Sequence, residues 1–122
     1  MTILYRGLNY NRAYETPSEW LWTSENLVYA ITVYAATDPF KTDTGYKDPA
    51  IQIYVVPKSS FQSLRSSGNI LTPRDYRTLR NGVPNFRFLD QKESLEWVLD
   101  SFAQKALVGP IVIRLPKGFT GR

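Results

Sequence analysis

Three kinds of side chain in the first part of the chain could do chemistry: an arginine, two hydroxyls and large aromatic rings. Arg6 follows the apolar run Ile3–Tyr5 and precedes Gly7. A guanidinium presents a planar fork of N–H donors that suits a phosphate, and a glycine beside it lets a ligand approach the backbone closely. The stretch LYRG therefore predicts a diphosphate clamp. The alternative is a surface ion pair with a nearby acid: Glu15, Glu19 or Glu25.

The two hydroxyls are those of Thr23 and Ser24, which follow Trp22 and precede an amphipathic stretch. They could orient a catalytic carboxylate or line a ribose pocket. Either could equally be the N-cap of the helix that the amphipathic stretch predicts. The nearby rings could stack on a planar base, although rings at this density also form cores. These rings belong to Tyr5, Tyr10, Trp20 and Trp22.

The sequence contains no cysteine and no histidine. Thiolate nucleophiles, disulfides and Ser-His-Asp hydrolysis are therefore excluded, and so are zinc sites built from cysteine or histidine ligands. We expect no metal site. Any catalysis must come from carboxylates, hydroxyls, arginines and lysines.

The chain has 122 residues, of which 43% are hydrophobic, and this favours a single globular domain spanning residues 1–122. No apolar run is long enough to suggest a membrane span, so we expect a protein of the cytoplasm, either that of its own cell or that of a host. The net charge is +4. Residues 1–50 carry four bases and six acids, whereas residues 51–122 carry eleven bases and five acids. The basic second part indicates either an anionic partner or an ordinary solvated surface.

The elements that must position these residues alternate between strands and helices. Apolar runs predict strands over 2–6, 51–56, 86–89 and 110–115. Apolar spacing and capping signals predict helices from Ser24 to Tyr34 and over 59–66, 73–80 and 93–106. The alternation of Leu95, Trp97 and Leu99 leaves a strand open at the start of the last helix. This order predicts an α+β domain with a small mixed, largely antiparallel sheet and flanking helices.

The first half of the chain resembles the ADP-ribosyltransferase family. The resemblance covers residues 3–57 and depends on LYRG, on WTS after a loop, and on the helix that ends at Tyr34. In that family an arginine at the end of the first strand holds NAD, and a Ser-Thr-Ser-like strand leads into a helix beneath the nicotinamide pocket. The resemblance implies an NAD site formed by Tyr5, Arg6, Gly7, Tyr10, Trp22, Thr23 and Ser24, with Arg6 and Ser24 as catalytic residues and NAD as the substrate.

The family also requires a glutamate late in the chain, within Gln-x-Glu or Glu-x-Glu at the start of a strand. Gln91-Lys92-Glu93 matches these letters, so Glu93 is the candidate acid. The structural alternative is a capping box in which Asp90 and Glu93 open a helix. If residues 69–73 formed the catalytic strand instead, the strand would supply no acid.

Arg74, Arg77 and Arg80 form a separate basic group on the predicted helix 73–80. They could bind phosphates or an acidic partner, or they could form a solvated helix face.

The leading hypothesis is a small transferase that moves ADP-ribose from NAD to a protein or nucleic acid. Its small size fits a stripped-down member of the family, of phage or mobile-element origin. NAD hydrolysis without transfer is a variant of this hypothesis. The rival is a non-catalytic protein that covers a protein or nucleic-acid partner with its aromatic and basic surface.

Overall fold

The computed structural model describes residues 1–12, 14, 19–31, 48–81 and 95–116. Its strands are β1 (Thr2–Asn9), β2 (Leu21–Ser24), β3 (Pro49–Val56), β4 (Ile70–Leu71), β5 (Glu96–Leu99) and β6 (Val108–Arg114). Its α-helices are α1 (Leu27–Tyr29), α2 (Lys58–Ser66), α3 (Pro73–Asn81) and α4 (Ser101–Gln104), with a 3-10 turn at Tyr10–Arg12. The chain is therefore α+β, as its sequence predicts.

The six strands form one antiparallel sheet in the order β4-β5-β2-β1-β3-β6. β1 pairs with β3 along its whole length, from Thr2 opposite Val56 to Asn9 opposite Pro49. β2 pairs with β5 at each of its four residues. By contrast, the registered pairing of β1 with β2 consists of Tyr5 opposite Ser24. Two well-paired halves of the sheet therefore meet at a single position.

The main core lies on one face of this sheet. Leu4 of β1, Leu21 of β2 and Leu99 of β5 are buried there, under Leu64 of α2 and Ala103 of α4. Alternate residues of a strand point to opposite faces, so every second residue of these strands faces the other side. On that side Ala30 and Ile51 form a smaller buried cluster against Tyr5. Both faces of the central strands are thus covered by packed side chains.

Several predicted elements are confirmed, and three needed correction. The predicted strands 51–56 and 110–115 correspond to β3 and β6, and the helices over 59–66 and 73–80 correspond to α2 and α3. Thr72 caps α3, because its Oγ1 accepts a hydrogen bond from Asp75 N at 3.1 Å. The first strand was predicted to end at Gly7, but β1 continues to Asn9 because Gly7 and Leu8 pair with Ile51 and Ala50. The predicted strand 86–89 lies outside the described residues.

The predicted helix over 93–106 is wrong for its described part. Residues 96–99 are strand β5, and only Ser101–Gln104 is helical. Asp100 ends the strand and caps the helix, since its Oδ1 accepts from Ala103 N at 2.8 Å. Apolar residues at 95, 98, 99 and 102 fit a helix face. Pairing with β2 and β4 selects the strand instead.

The helix predicted from Ser24 also begins later than expected. Strand β2 includes Ser24, and the N-cap of α1 is Asn26, whose Oδ1 accepts from Tyr29 N at 3.1 Å. None of the helices among the described residues has the length and apolar character that crossing a bilayer requires.

Candidate functional site

A row of three polar side chains crosses the centre of the sheet. Tyr5 of β1 lies opposite Ser24 of β2, and Ser24 lies opposite Glu96, the first residue of β5. Directly opposed residues of antiparallel strands share a face, so the phenol, the hydroxyl and the carboxylate project from the same side of the sheet. Neighbouring strands thus hold a hydroxyl beside an acid without the help of a loop.

Ser24 and Glu96 form the closer of the two kinds of antiparallel pair. Glu25 N donates to Leu95 O at 3.0 Å, which is the bond expected beside a non-hydrogen-bonded pair. In such pairs the Cα atoms are about 4.5 Å apart and the side chains are in contact range. Glu96 is only 3% exposed and Ser24 is fully buried. The hydroxyl and the carboxylate are thus both buried on the same face of the sheet.

Glu96 is the residue that sequence reasoning missed. Glu93, the expected acid, lies outside the described residues. The signal that could have found Glu96 is the alternation of Leu95, Trp97 and Leu99. If those residues alternate along a strand, the intervening Glu96 faces the opposite side.

Thr23 and Ser24, treated alike in the sequence, have different roles. Thr23 Oγ1 donates to Trp97 O at 3.0 Å and so joins β2 to β5. Ser24 Oγ accepts from Asn26 N at 2.9 Å, in a turn that leads into α1. Neither residue is the helix N-cap, because the strand continues through both of them and Asn26 takes that position. Of the two hydroxyls, only that of Ser24 is on the face that carries Glu96.

Arg6 lies next to this row but on the opposite face of β1. Its direct partner on β3 is Gln52, whose Oε1 accepts a hydrogen bond from Tyr54 Oη at 3.2 Å. Burial raises the pKa of Tyr54, and the nearby positive charge of Arg6 lowers it by a smaller amount. The guanidinium therefore belongs to a polar cluster with Gln52 and Tyr54. Arg6 thus lies on the strand next to β2, which carries Ser24, but its side chain is on the opposite face of the sheet from Ser24 and Glu96.

The junction between β1 and β2 lies between these two groups. Registered pairing occurs at Tyr5 and Ser24, and it does not continue to Arg6 and Gly7 within the two described strands. The registered pairing between these two described strands is thus limited to one position. Gly7 adds no side chain at this junction. A ligand at this position would have Arg6 on one side and Ser24 with Glu96 on the other.

Trp22 lies on the Glu96 face, two residues before Ser24 on the same strand. Its ring packs edge-on against Tyr76 of α3, with centroids 5.4 Å apart. Trp20 packs on the same tyrosine at 5.1 Å, and the Arg77 guanidinium carbon lies 5.9 Å from the Trp22 ring. The three rings and Arg77 thus form an aromatic cluster between α3 and the sheet, beside the Ser24–Glu96 pair.

Tyr10 is placed away from that pair. The strand separates Tyr5 from Asn9 by about 13 Å, and Tyr10 follows Asn9. The Arg114 guanidinium carbon lies 4.3 Å from the Tyr10 ring and also makes a two-bond ion pair with Asp48 at 2.9 and 2.6 Å. Hydrogen bonding to Asp48 raises the pKa of Arg114. Tyr10 therefore packs at the far end of β1, whereas Tyr5 packs on the Ala30–Ile51 cluster.

The three arginines of α3 differ in their surroundings. Arg74 and Arg80 are exposed, and the Arg80 guanidinium carbon lies 5.8 Å from the Tyr76 ring. Arg77 is half-buried over Trp22. The helix therefore presents two solvent-exposed cations, of which Arg80 lies beside a ring of the aromatic cluster.

No set of three or more acidic side chains within the described ranges is arranged to hold a metal ion. Comparison with known proteins gives no assignment: no protein-family model, no curated protein and no solved structure matches the chain.

Proposed function

We propose that this protein has an ADP-ribosyltransferase-like fold, binds NAD, and transfers ADP-ribose to a macromolecule with Glu96 as its acid. The observation that carries the proposal is the buried Glu96 at the start of β5, directly opposite Ser24. The family resemblance implies an acid late in the chain at the start of a strand, commonly within Gln-x-Glu or Glu-x-Glu. Glu96 is at the start of β5, although Ser94 stands where that motif has glutamine or glutamate. In this proposal Glu96 replaces Glu93 in the catalytic set of Arg6, Ser24 and Glu96.

The chemistry explains why a buried carboxylate is needed. When the bond between the nicotinamide nitrogen and ribose C1′ breaks, its electron pair leaves with neutral nicotinamide and positive charge develops on the ribose. A carboxylate close to the sugar stabilises this charge, and it can also accept hydrogen bonds from the ribose hydroxyls. The acceptor's nucleophile then forms a new bond to C1′ and loses its proton. In this proposal the role of Ser24, which lies opposite Glu96 and accepts a hydrogen bond from Asn26 N, is to orient the carboxylate.

Arg6 supplies the positive charge that the NAD diphosphate needs. A guanidinium can donate two parallel hydrogen bonds to phosphate oxygens, and Gln52 and Tyr54 restrict its position. Because Arg6 and Glu96 lie on opposite faces, the proposal requires NAD to reach both of them at the β1–β2 junction, where Tyr5 and Ser24 are the registered pair. Gly7 allows close approach, and Trp22 offers an aromatic edge beside the acid. Within this proposal Thr23 and Tyr10 act through the structure rather than through contact with NAD.

The test is NAD turnover by purified protein, measured as nicotinamide release and as transfer of labelled ADP-ribose to lysate components. Glu96→Gln should lower the rate by about 10²–10³, the usual cost of losing one group that stabilises transition-state charge. Glu93→Gln is the matched control, because it makes the same substitution three residues upstream at the acid that the Gln-x-Glu letters select. We expect Glu93→Gln to keep the wild-type rate.

The outcomes separate the possible activities. Nicotinamide release without a labelled acceptor would make the protein an NAD glycohydrolase that uses the same acid. Full activity in Glu96→Gln, or wild-type protein that neither binds nor consumes NAD, would contradict the proposal. A rate that falls in Glu93→Gln instead would return the catalytic role to Glu93.

One observation favours a second candidate, a non-catalytic binding protein. Arg80 is exposed beside the Tyr76 ring, and Arg74 is exposed on the same helix; exposed cations near aromatic rings suit the phosphates and bases of a single-stranded nucleic acid. Its test is the affinity for a single-stranded oligonucleotide as salt is varied. Replacing both arginines by glutamate should weaken binding and reduce its salt dependence. Lys58 and Lys105, both exposed, provide the charge-matched control pair.

A further inference from the structure

The residue before Glu96 has an unusual backbone conformation. Leu95 has φ +44°, the one positive value among the non-glycine residues that the structure describes. This left-handed region is disfavoured for residues with a Cβ, and a bulky side chain there is rare outside strained sites. Such conformations persist where surrounding contacts hold them, and they often occur beside functional groups. Here the strained residue directly precedes the buried acid.

Hydrogen bonds to β2 hold the backbone on both sides of Glu96. Leu95 O accepts from Glu25 N at 3.0 Å, and Trp97 O accepts from Thr23 Oγ1 at 3.0 Å. The Glu96 backbone is therefore tied to the strand that carries Ser24 before and after the acid. A shift of β5 along β2 would break both bonds.

The Trp97 side chain adds an anchor on the face opposite Glu96. Its Nε1 donates to Glu25 Oε2 at 2.8 Å. The Arg65 guanidinium carbon lies 4.6 Å from the ring, and the Phe61 ring packs edge-on at 5.3 Å. Arg65 is itself held, because its Nη1 donates to Ile70 O at 3.0 Å. The indole is thus fixed by three residues, none of which lies on the face that carries the acid.

We propose that Leu95 and Trp97 are positioning residues that hold the Glu96 carboxylate beside Ser24, with Glu25 as the acceptor that fixes the indole. This role rests on the proposed function of Glu96. The left-handed turn at Leu95 sets the direction in which β5 begins, and the anchored indole prevents the strand from rotating about its axis. Together they keep the buried carboxylate at one place on the sheet.

Two substitutions at Leu95 separate backbone from side-chain effects. Glycine adopts positive φ freely, whereas valine resembles leucine in its side chain but is β-branched and resists that region. Leu95→Gly should keep the wild-type rate of NAD turnover. Leu95→Val should lower kcat by about 10–100-fold, the scale of a small misplacement of a reacting group, with little change in KM. The opposite order would show that side-chain packing matters and would overturn the role of the backbone.

Two substitutions at Glu25 test the anchor. Glu25→Ala removes the acceptor of the indole N–H, and Glu25→Gln keeps an acceptor oxygen without the charge. The alanine variant should lose kcat and the glutamine variant should retain it. Glu19→Ala, at another exposed acid of the same segment, is the control and should behave as wild type. Equal losses in Glu25→Ala and Glu25→Gln would overturn the anchor as described.

A readout that does not need activity distinguishes this role from the proposed function. In protein labelled with ¹³C at the glutamate carboxyls, the Glu96 signal is assigned by its loss in Glu96→Gln. Glu25→Ala and Leu95→Val should change the chemical shift of this signal, whereas Glu25→Gln and Leu95→Gly should not. If wild-type protein consumes no NAD but the signal behaves in this way, the transferase fails and the positioning stands. An unchanged signal in Glu25→Ala and Leu95→Val overturns the positioning whatever the activity.

Discussion

Thr23→Val and Ser24→Ala should separate stability from catalysis at two adjacent hydroxyls. Both residues are buried, and each hydroxyl makes one short hydrogen bond to backbone: Thr23 to Trp97 O at 3.0 Å, and Ser24 from Asn26 N at 2.9 Å. Only Ser24 is opposite Glu96. We therefore expect similar losses of stability in the two variants but a loss of NAD turnover only in Ser24→Ala.

The size of the stability loss follows from the hydrogen bonds. Removing one partner of a buried neutral hydrogen bond costs about 0.5–1.5 kcal/mol. The Thr23→Val loss should be at the lower end of that range, since the neighbouring strand remains hydrogen-bonded to β2 and valine fills the same volume. A chain of 122 residues has an unfolding entropy near 0.26 kcal/mol/K, so 1 kcal/mol corresponds to about 4 °C in Tm. We expect Tm to fall by about 2–6 °C in each variant.

The assay combines thermal unfolding, followed by far-UV circular dichroism, with nicotinamide release at a temperature where every variant is folded. Thr23→Ser is the control that keeps the hydroxyl, and it should restore most of the lost stability. If Thr23→Val left Tm unchanged while abolishing turnover, Thr23 would contact the substrate and its structural assignment would be wrong. If Ser24→Ala turned over NAD at the wild-type rate, Ser24 would have no part in orienting Glu96.

Two further predictions concern buried polar groups elsewhere in the sheet. Burial raises the pKa of Tyr54 above its ordinary value of 10.0, so the neutral phenol stabilises the fold below that pH and this contribution is lost as pH rises through the folded-state pKa. In urea titrations, Tyr54→Phe should be less stable than wild type at pH 8, and the difference should shrink above pH 10; a constant difference would contradict this. Asp100 caps α4 and accepts from Asn69 Nδ2 at 2.7 Å, so Asp100→Ala should cost about 2–4 kcal/mol. The exposed Asp75→Ala should cost less than 1 kcal/mol, about the limit for surface changes, and equal losses would refute the role of Asp100.

Local sequence signals were sufficient to predict the elements whose apolar residues fit only one spacing, either that of a strand or that of a helix. β3 is an apolar run bounded by prolines, and α3 begins with Thr72, Pro73 and Asp75, which cap and open a helix. Such signals act within a few residues, so they can be read without knowing what packs nearby. The site residues Arg6 and Ser24 were also recognisable, because their types and neighbours are local facts.

The start of β5 shows why the rest could not be predicted. Leu95, Val98, Leu99 and Phe102 fit a helix face, while Leu95, Trp97 and Leu99 fit a strand. The apolar residues alone therefore do not distinguish a helix from a strand over this stretch. The hydrogen-bonded pairing of residues 96–99 with β2 and β4 decides between them, and those partners lie far away in the sequence. Glu93 matches the letters of a motif, whereas Glu96 follows from the strand alternative, which the pairing selects.

By itself the sequence determined which chemistry is possible. With no cysteine and no histidine, it restricted any site to carboxylates, hydroxyls, arginines and lysines, and it identified Arg6 and the Thr23–Ser24 pair. The tertiary structure decided which of these groups meet. It put Ser24 opposite the buried Glu96, turned Thr23 to the neighbouring strand, and put Arg6 on the other face of β1. The physical reason is that strand register, set by pairing between distant segments, determines the face on which each side chain emerges.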